Sequence, residues 1–385
     1  MKIGILGFPL INANKGCEAL TYSFLEVLSE ILPDEDIEIH AFNIKINKLM
    51  ESQFPKIRFI SVPAKIKNFS VFKEFKKCDL IFDVTAGDGF SDIYFKKLVF
   101  RTTLMKECVI LSKTPLVLMP QTYGPFNSAS IRRFALHTIK KSARVYSRDK
   151  KSAELIQKYI KKDVLEVTDL AFMLPYTKSV PANKDAVNIG LNVSGLLWKG
   201  GFHKENQFGL ALDYKTYIYN VINLLCEKNY CVHLIPHVIE SETDHIDGDY
   251  NVCKQLCEEL KEKNINVICA PAFNSPVEAK NYISGMDAFI GARMHSTIAA
   301  FSANVPVIPF SYSRKFEGLF ETLNYPYIVH GCQDNIETAV SNTIKWIENR
   351  HQLQDRITEE MENLNQRLTV FKQDLKDLLM NGRKQ

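Results

Sequence analysis

The feature that most constrains the fold is an alternation of short apolar runs with amphipathic stretches, which occurs twice along the chain. The runs are continuous rather than alternating, as is typical of strands covered by helices on both faces. Between them, Gly16–Ile31 has apolar residues at three- and four-residue spacing, which predicts a helix. Strand, helix, strand alternation favours a parallel sheet with right-handed crossovers, and so an α/β fold with Rossmann-like units. The first six predicted strands are Lys2–Gly7, Asp36–Phe42, Ile57–Pro63, Asp79–Val84, Leu116–Pro120 and Arg144–Tyr146.

The alternation lapses around Pro175–Pro181 and then restarts. With 385 residues the chain also exceeds what one hydrophobic core normally organises. We predict an N-terminal Rossmann-like domain over 1–175, a linker over 176–186, and a C-terminal Rossmann-like domain over 187–345. The six strands predicted for the second domain are Val187–Val193, Cys231–Pro236, Asn266–Cys269, Ala288–Gly291, Val305–Pro309 and Tyr327–Val329.

Residues 346–385 predict one long amphipathic helix, because apolar residues step by three or four from Leu353 to Leu378. The favoured interpretation is a helix that packs back along the body. The alternatives are a coiled-coil partner or a membrane surface. Such a helix permits a homo-oligomer without requiring one.

The composition excludes several classes of protein. The net charge of +4, from 48 basic and 44 acidic residues, is too small to indicate nucleic-acid binding by bulk charge. The nine cysteines are scattered without a C-x-x-C motif, which favours a reducing compartment over a disulfide framework or a zinc site. The first apolar run is too short for a signal peptide, and no run is long enough to cross a bilayer. We therefore expect a cytoplasmic protein, with contact at the inner face of the membrane left open.

Polar residues just past the strand ends are the candidates for function, since ligands of open α/β sheets bind at the carboxyl ends of strands. After the first strand, Asn14 and Gly16 allow close backbone approach at a helix start, or simply form a turn. After the fourth, Gly87 and Asp88 suit a substrate loop whose carboxylate receives a sugar hydroxyl or acts as a base. The alternative for Asp88 is a helix N-cap, and a metal shared with Asp92 is less favoured.

Two further strand ends carry an amide and a guanidinium. Gln121 follows the fifth strand, where its amide can point towards a ligand. Arg148 follows the sixth and is placed for an oxyanion, the alternative being a surface ion pair with Asp149.

The strongest segment lies in the second half, where Arg293 and His295 follow the strand that ends at Gly291. An arginine and a histidine at a helix start form an anion site that includes a proton donor. Lys315 adds a cation one strand later, while His237 after another strand is equally consistent with the same site or with a core. The run from Asp244 to Asp249 does not match a calcium loop, so a solvated loop is the favoured interpretation.

These motifs together resemble the polysaccharide pyruvyl transferase family. The match runs in order from the first strand to about Gly318. Its elements are Asn14-Lys-Gly-Cys-Glu-Ala19, Gly87-Asp88, Gln121-x-x-Gly124-Pro-Phe126, Ser147-Arg148-Asp149, Thr168-Asp-Leu-Ala-Phe172, Gly291-Ala-Arg-Met-His295 and Tyr312-x-x-Lys315.

The resemblance implies a GT-B-like fold of two Rossmann-like domains with the site between them, the N-terminal domain (1–175) on the acceptor side and the C-terminal domain (187–345) on the donor side. It implies transfer of a pyruvyl group from phosphoenolpyruvate onto two hydroxyls of one sugar, in a capsule, exopolysaccharide or cell-wall polymer or its lipid-linked precursor. No cofactor, metal or nucleic acid is implied. Within it, His295 is the predicted general acid and Asp88 the predicted base. The residues predicted to bind the donor are Arg148, Arg293, Lys315 and His237, and those predicted to bind the acceptor are Asn14, Gly16, Gly87 and Gln121.

Two other functions remain open on the sequence. A GT-B glycosyltransferase would present similar cations and helix N-termini to the diphosphate of a nucleotide sugar. A non-catalytic glycan-binding protein on the same fold would bind sugar without releasing phosphate from phosphoenolpyruvate.

Overall fold

The computed structural model describes residues 1–64, 70–92, 96–180, 185–202, 205–240 and 247–381, without the side chains of Arg314 and Lys315. The chain divides into two compact units. Unit 1 comprises Met1–Asn12, Leu20–Met173 and Leu364–Gln385, and unit 2 comprises Ala13–Ala19 and Leu174–Asn363.

Unit 1 contains a sheet of seven parallel strands in the order β3-β2-β1-β4-β5-β6-β7. Six of them are strands that the apolar runs predict. The seventh, β7, pairs only two half-buried residues with β6, so it leaves no apolar run to detect. The strands are β1 (Lys2–Leu6), β2 (Ile37–Phe42), β3 (Ile57–Val62), β4 (Leu80–Asp83), β5 (Leu116–Gln121), β6 (Arg144–Ser147) and β7 (Leu165–Glu166).

Helices connect these strands. The first of them, α1, begins one residue before the predicted start, and its apolar stripe is buried. Helix α6 begins after Asp149, whose carboxylate accepts from the backbone N–H of Ser152 at 2.7 Å. The helices are α1 (Lys15–Ile31), α2 (Lys48–Gln53), α3 (Ser70–Phe75), α4 (Lys96–Leu111), α5 (Ala129–Lys141) and α6 (Lys150–Tyr159), followed by a short 3₁₀ helix at Leu170–Met173.

Unit 2 repeats the architecture with six parallel strands in the order β10-β9-β8-β11-β12-β13. All six correspond to predicted strands. They are β8 (Asn188–Asn192), β9 (Cys231–Leu234), β10 (Ile268–Cys269), β11 (Ala288–Gly291), β12 (Val307–Ser311) and β13 (Val329–His330). Their helices are α7 (Gly195–Trp198), α8 (Tyr214–Glu227), α9 (Tyr250–Glu262), α10 (Pro276–Ile283), α11 (Met294–Ser302), α12 (Arg314–Thr322) and α13 (Ile336–Glu348).

The strand order reverses direction once in each sheet, between β1 and β4 in unit 1 and between β8 and β11 in unit 2. In open α/β sheets such a reversal opens a crevice at the carboxyl ends of the strands, where ligands bind. The chain therefore has one such switch point in each unit.

The tail is a single helix, α14 (Arg350–Asn381), whose apolar stripe is buried. Within unit 1, the carboxylate of Asp374 accepts from Arg144 at 2.8 Å and from the hydroxyl of Tyr146 at 2.7 Å. The ring of Phe371 meets Tyr146 edge-on at 5.0 Å. Among the described residues, none of the helices combines the length and the apolar character that crossing a membrane requires.

Candidate functional site

Two helices, α11 and α1, begin next to His295, and the first turn of α1 belongs to unit 2. Helix α11 begins at Met294, and the first turn of α1 contacts the imidazole. A Cβ added at Gly16 would lie 2.3 Å from the Cβ of His295 and 2.5 Å from its Nδ1, so only glycine leaves room for the ring. Asn14 shapes this turn by accepting from the backbone N–H of Gly16 at 3.0 Å. Asn14 and Gly16, predicted on the acceptor side, thus lie with residues predicted to bind the donor.

His237 belongs to the same cluster. Its carbonyl accepts from the backbone N–H of Lys15 at 3.0 Å. The side chain is 3% exposed, yet neither ring nitrogen has a hydrogen-bond partner. Burial, as the largest cause, and the positive charges of His295, Arg293 and Lys15 together lower the pKa of His237 to about 3. His237 is therefore a neutral imidazole whose ring faces a group of cations.

His233, in the same unit, has the hydrogen bonds expected of a histidine in a protein core. His233, on β9, is fully buried, but its Nδ1 bonds to the hydroxyl of Tyr282 at 2.9 Å and its Nε2 to Asn188 at 3.1 Å. Burial lowers its pKa to about 4. Since buried polar groups are normally satisfied, the two unpartnered nitrogens of His237 indicate a ligand site rather than a core position.

Lys15 is a buried cation that the sequence analysis quoted within a motif but did not single out. Its side chain is 7% exposed, and its Nζ lies 3.0 Å from the carboxylate of Glu18. The sequence feature that could have identified Lys15 as a site residue was its position beside Gly16 at the start of a predicted helix. With Lys15 included, the cluster of unit 2 has cationic groups, two helix N-termini and an unpartnered imidazole, which together suit an anionic ligand.

Arg293, which the sequence predicts to bind the donor, pairs with two carboxylates in this structure. Its guanidinium pairs with Asp249 at 2.6 Å and with Asp247 at 2.7 Å. In this structure the guanidinium therefore binds two carboxylates of the protein itself. Burial alone would lower the pKa of Arg293, but Asp249 and Asp247 outweigh burial and raise it. Arg293 thus links Asp247 and Asp249 to the start of α11, and its predicted contact with the donor stays a prediction.

The solvated loop predicted for the acidic run is wrong at Asp249, which is fully buried. Its carboxylate accepts from the backbone N–H groups of Gly195 at 2.8 Å, His237 at 3.1 Å and Val238 at 3.0 Å, as well as from Arg293. One carboxylate thereby ties together the segments that follow β8, β9 and β11. Asp244 and the side chain of Lys315 lie outside the described residues.

In unit 1, Arg148 is buried, with 3% of its surface exposed. Its Nη1 pairs with Asp169 at 2.9 Å and its Nε donates to Thr122 at 2.8 Å, while its Nη2 has no partner. Burial would lower the pKa of Arg148, but Asp169, Asp88 and Asp149 raise it overall. The surface ion pair with Asp149 is thus excluded as its role.

The turn that carries Gly87 and Asp88 lies against this arginine. Thr85, Ala86 and Gly87 have positive φ angles of 43°, 51° and 86°, a conformation that costs non-glycine residues free energy and is common at functional sites. A Cβ on Gly87 would lie 3.1 Å from the Nη1 of Arg148. Asp88 is half-buried, and its charge acts on Arg148, so both predicted residues lie with Arg148.

A buried ion pair between Lys106 and Asp83 is hydrogen-bonded to that turn. The Nζ of Lys106 lies 3.2 Å from Asp83 and donates to the hydroxyl of Thr85 at 2.8 Å. Gln121 is fully buried and donates to the carbonyl of Asp83 at 3.1 Å, while its Oε1 has no partner. Sequence analysis found Gln121 at its strand end but had no signal for Lys106, because lysines in the middle of helices are normally exposed.

Among the described residues, the structure shows no third ligand for a metal ion shared by Asp88 and Asp92. Asp92 accepts from the backbone N–H groups of Asn127 at 2.8 Å and Ser128 at 2.7 Å, just before α5. Within the described ranges, no group of three or more histidine, cysteine, aspartate or glutamate residues could hold a metal ion.

Comparison with known proteins gives two kinds of similarity. The model of the polysaccharide pyruvyl transferase family matches residues 14–314. The amylovoran biosynthesis protein AmsJ of Erwinia amylovora is 24% identical over 369 residues, which cover 85% of each chain.

Solved structures show the fold alone. Anabaena Alr3699/HepE in complex with UDP has a TM-score of 0.61 at 12% identity, covering 99% of this chain and 100% of that one. A glycosyltransferase from Rickettsia africae has a TM-score of 0.59 at 14% identity, covering 99% and 98%. A putative UDP-N-acetylglucosamine 2-epimerase from Listeria monocytogenes has a TM-score of 0.58 at 11% identity, covering 92% and 90%. The fold is therefore GT-B-like.

Proposed function

The chain belongs to the polysaccharide pyruvyl transferase family, and we propose that it forms a cyclic pyruvate ketal on a sugar, with phosphoenolpyruvate as the donor. Two hydroxyls of one sugar add to the central carbon of the enolpyruvyl group, and the C–O bond to phosphate breaks. The two hydroxyls lose one proton each. The loss of the first is matched by the proton that the methylene gains as it becomes a methyl group. The other proton leaves with inorganic phosphate.

The single observation that carries this proposal is the cluster of unit 2, formed by Lys15, Gly16, His237 and His295. Phosphoenolpyruvate is a small polyanion, and the cluster offers cations, backbone N–H groups at two helix starts and a buried imidazole without partners. A neutral imidazole donates one N–H, and the pKa of His237 rises when an anion binds beside it. The cluster supports a phosphate- and carboxylate-bearing donor.

His295 is the proposed general acid that protonates the donor methylene. It follows β11 at the first turn of α11, where the helix N-terminus stabilises the phosphate and carboxylate charges. Asp249 and Arg293 hold the segments around it, and Lys315 is proposed as a further donor cation. The reaction moves no electrons between redox states, so it calls for no redox cofactor.

The residues of unit 1 are proposed to serve the sugar and one charge of the donor. Asp88 receives a hydroxyl proton as general base, and its strained turn holds it beside Arg148. Arg148 has one unpartnered Nη2 and is proposed to bind the donor. Gln121, with its unpartnered Oε1, is proposed to accept from a sugar hydroxyl.

The acceptor is proposed to be a glycan of a surface polysaccharide, or its lipid-linked precursor, made in the cytoplasm at the membrane. The similarity to an amylovoran biosynthesis protein supports a polysaccharide pathway. The acceptor sugar is to be found by measuring phosphate release from phosphoenolpyruvate over a panel of lipid-linked and aryl galactosides, glucosides and N-acetylmannosaminides.

The test of the proposed chemistry compares His295→Ala with wild type in that assay. We expect turnover to fall by about 10²–10⁴-fold, because that is what a general acid contributes, while donor binding partly survives in calorimetry. His351→Ala, at an exposed position on α14, is the matched control and should keep wild-type turnover. Equal turnover in His295→Ala and wild type would contradict the assignment.

Thermal shifts separate the proposal from its rivals. Phosphoenolpyruvate should raise the melting temperature of wild type, and His237→Asn should reduce that shift. Stabilisation by UDP or GDP but not by phosphoenolpyruvate would instead favour a nucleotide-sugar glycosyltransferase. Sugar binding without any phosphate release would favour a non-catalytic glycan-binding protein.

A further inference from the structure

The charges of unit 1 are distributed very unevenly. Over residues 96–141, which include α4 and α5, the chain has nine basic residues and one acidic residue, although the whole chain is almost balanced at 48 to 44. The one acid, Glu107, is buried and bonds to Thr138. Seven of the basic residues are exposed, namely Lys96, Lys97, Arg101, Lys113, Arg133, Lys140 and Lys141.

A favourable position at the negative end of a helix dipole accounts for two of these exposed cations, Lys140 and Lys141 in the last turn of α5. Within the described part of the chain, none of the seven forms a salt bridge, whereas lysines elsewhere on the surface do, such as Lys77 with Glu74 at 2.7 Å. Six of the seven lie on two adjacent helices and Lys113 follows α4, and like charges this close repel one another and weaken the folded state slightly. An anionic partner would remove that cost.

Large apolar side chains lie among the cations. Three of the exposed large hydrophobic residues belong to α4: Leu98 at 47% exposed, Phe100 at 52% and Leu111 at 69%. Phe100 lies beside Phe134 of α5, with 5.6 Å between the ring centroids. We call the surface formed by the exposed side chains of α4 and α5 the α4–α5 face.

We propose that the α4–α5 face docks the protein onto an anionic phospholipid bilayer. A bilayer accepts both features together, since its headgroups pair with lysine and arginine while exposed leucine and phenylalanine insert at the acyl boundary. An acidic protein would satisfy the charges, but the apolar side chains alternate with the cations instead of forming a separate core.

The position of the face suits a lipid-linked acceptor, a part of the argument that rests on the proposed function. Helices α4 and α5 follow β4 and β5, so they begin on the side of the sheet where those strands end. The turn that carries Asp88 and the strand end at Gln121 lie at that same edge of unit 1. Docking there would bring a membrane-anchored glycan towards the residues proposed to receive it.

The experiment is flotation of the full chain with vesicles of phosphatidylcholine alone or mixed with phosphatidylglycerol. We expect binding to the mixed vesicles only, with weaker binding as salt screens the charges. The triple variant Lys97→Gln, Arg101→Gln, Arg133→Gln should lower the partition coefficient roughly 100-fold, since each basic residue near an anionic surface contributes about five-fold. Phe100→Ser should lower it about ten-fold at unchanged charge.

The control triple Lys254→Gln, Lys261→Gln, Lys345→Gln removes the same charge from exposed helix positions of unit 2 and should bind like wild type. Equal losses in both triples, full binding by the face triple, or binding to RNA but not to vesicles would overturn the proposal. Vesicle binding is measured without phosphoenolpyruvate, so it stands if the proposed reaction fails. Phosphate release on a water-soluble acceptor should be the same in the face triple and wild type, which shows that the triple is folded.

Discussion

Replacing Gly16 with alanine tests whether the first turn of α1 sets the position of His295. The added Cβ would lie 2.3 Å from the Cβ of His295 and 2.5 Å from its Nδ1, whereas ordinary contacts begin at 3.4 Å. The imidazole, or the turn, therefore has to retreat by about 1 Å. A displacement of that size at a catalytic group costs about 10²-fold in rate, so we expect kcat/KM to fall by about that factor.

The free energy of unfolding of the same variant separates the effect on the rate from misfolding. Gly16 is the second residue of α1, and the Cβ of His295 cannot be moved by a rotamer change, so we expect the free energy of unfolding to fall by about 1–3 kcal/mol while the protein stays folded. Phosphate release gives kcat/KM, and urea unfolding gives the free energy of unfolding.

A double-mutant cycle identifies His295 as the group displaced. Gly16→Ala combined with His295→Ala should be no slower than His295→Ala alone, because both changes act on one ring. Wild-type kcat/KM in Gly16→Ala, or fully additive losses in the double variant, would refute the reasoning.

Three other predictions follow from buried charge. The pKa values of His237 and His233, lowered to about 3 and about 4, leave both neutral in the folded protein while the unfolded chain takes up protons below its usual pKa of about 6.5. The free energy of unfolding should thus fall as pH drops from 6.5, by up to about 1.4 kcal/mol per pH unit for each histidine, and His237→Gln should flatten the slope in urea titrations. Asp249→Asn should destabilise unit 2 by about 3–5 kcal/mol, because Arg293 stays buried without its main partner; a further Arg293→Met change should recover part of that loss, and no loss in Asp249→Asn would refute the pairing. Arg148→Ala should raise KM for phosphoenolpyruvate about 10- to 100-fold, and an unchanged KM would limit Arg148 to its pair with Asp169.

The sequence by itself determined the architecture. All twelve predicted strands are present within one residue of their bounds, except that β10, β12 and β13 begin two residues later, β9 ends two residues earlier and β12 ends two residues later. The reason is local: continuous apolar runs and helical spacing record burial on both faces of a sheet, which each segment carries in its own residues. Positions at strand ends followed from the same periodicity, so Gly87, Gln121, Arg148 and His295 could be found.

Only the tertiary structure decided which side chains meet. Arg293 looks like an anion ligand in sequence, but its partner Asp249 lies 44 positions earlier in the chain and becomes buried only when the ends of β8, β9 and β11 converge. The contact of Gly16 with His295 joins residues 279 positions apart. Burial and pairing of charges depend on contacts that are distant in sequence, and a local pattern contains no record of them.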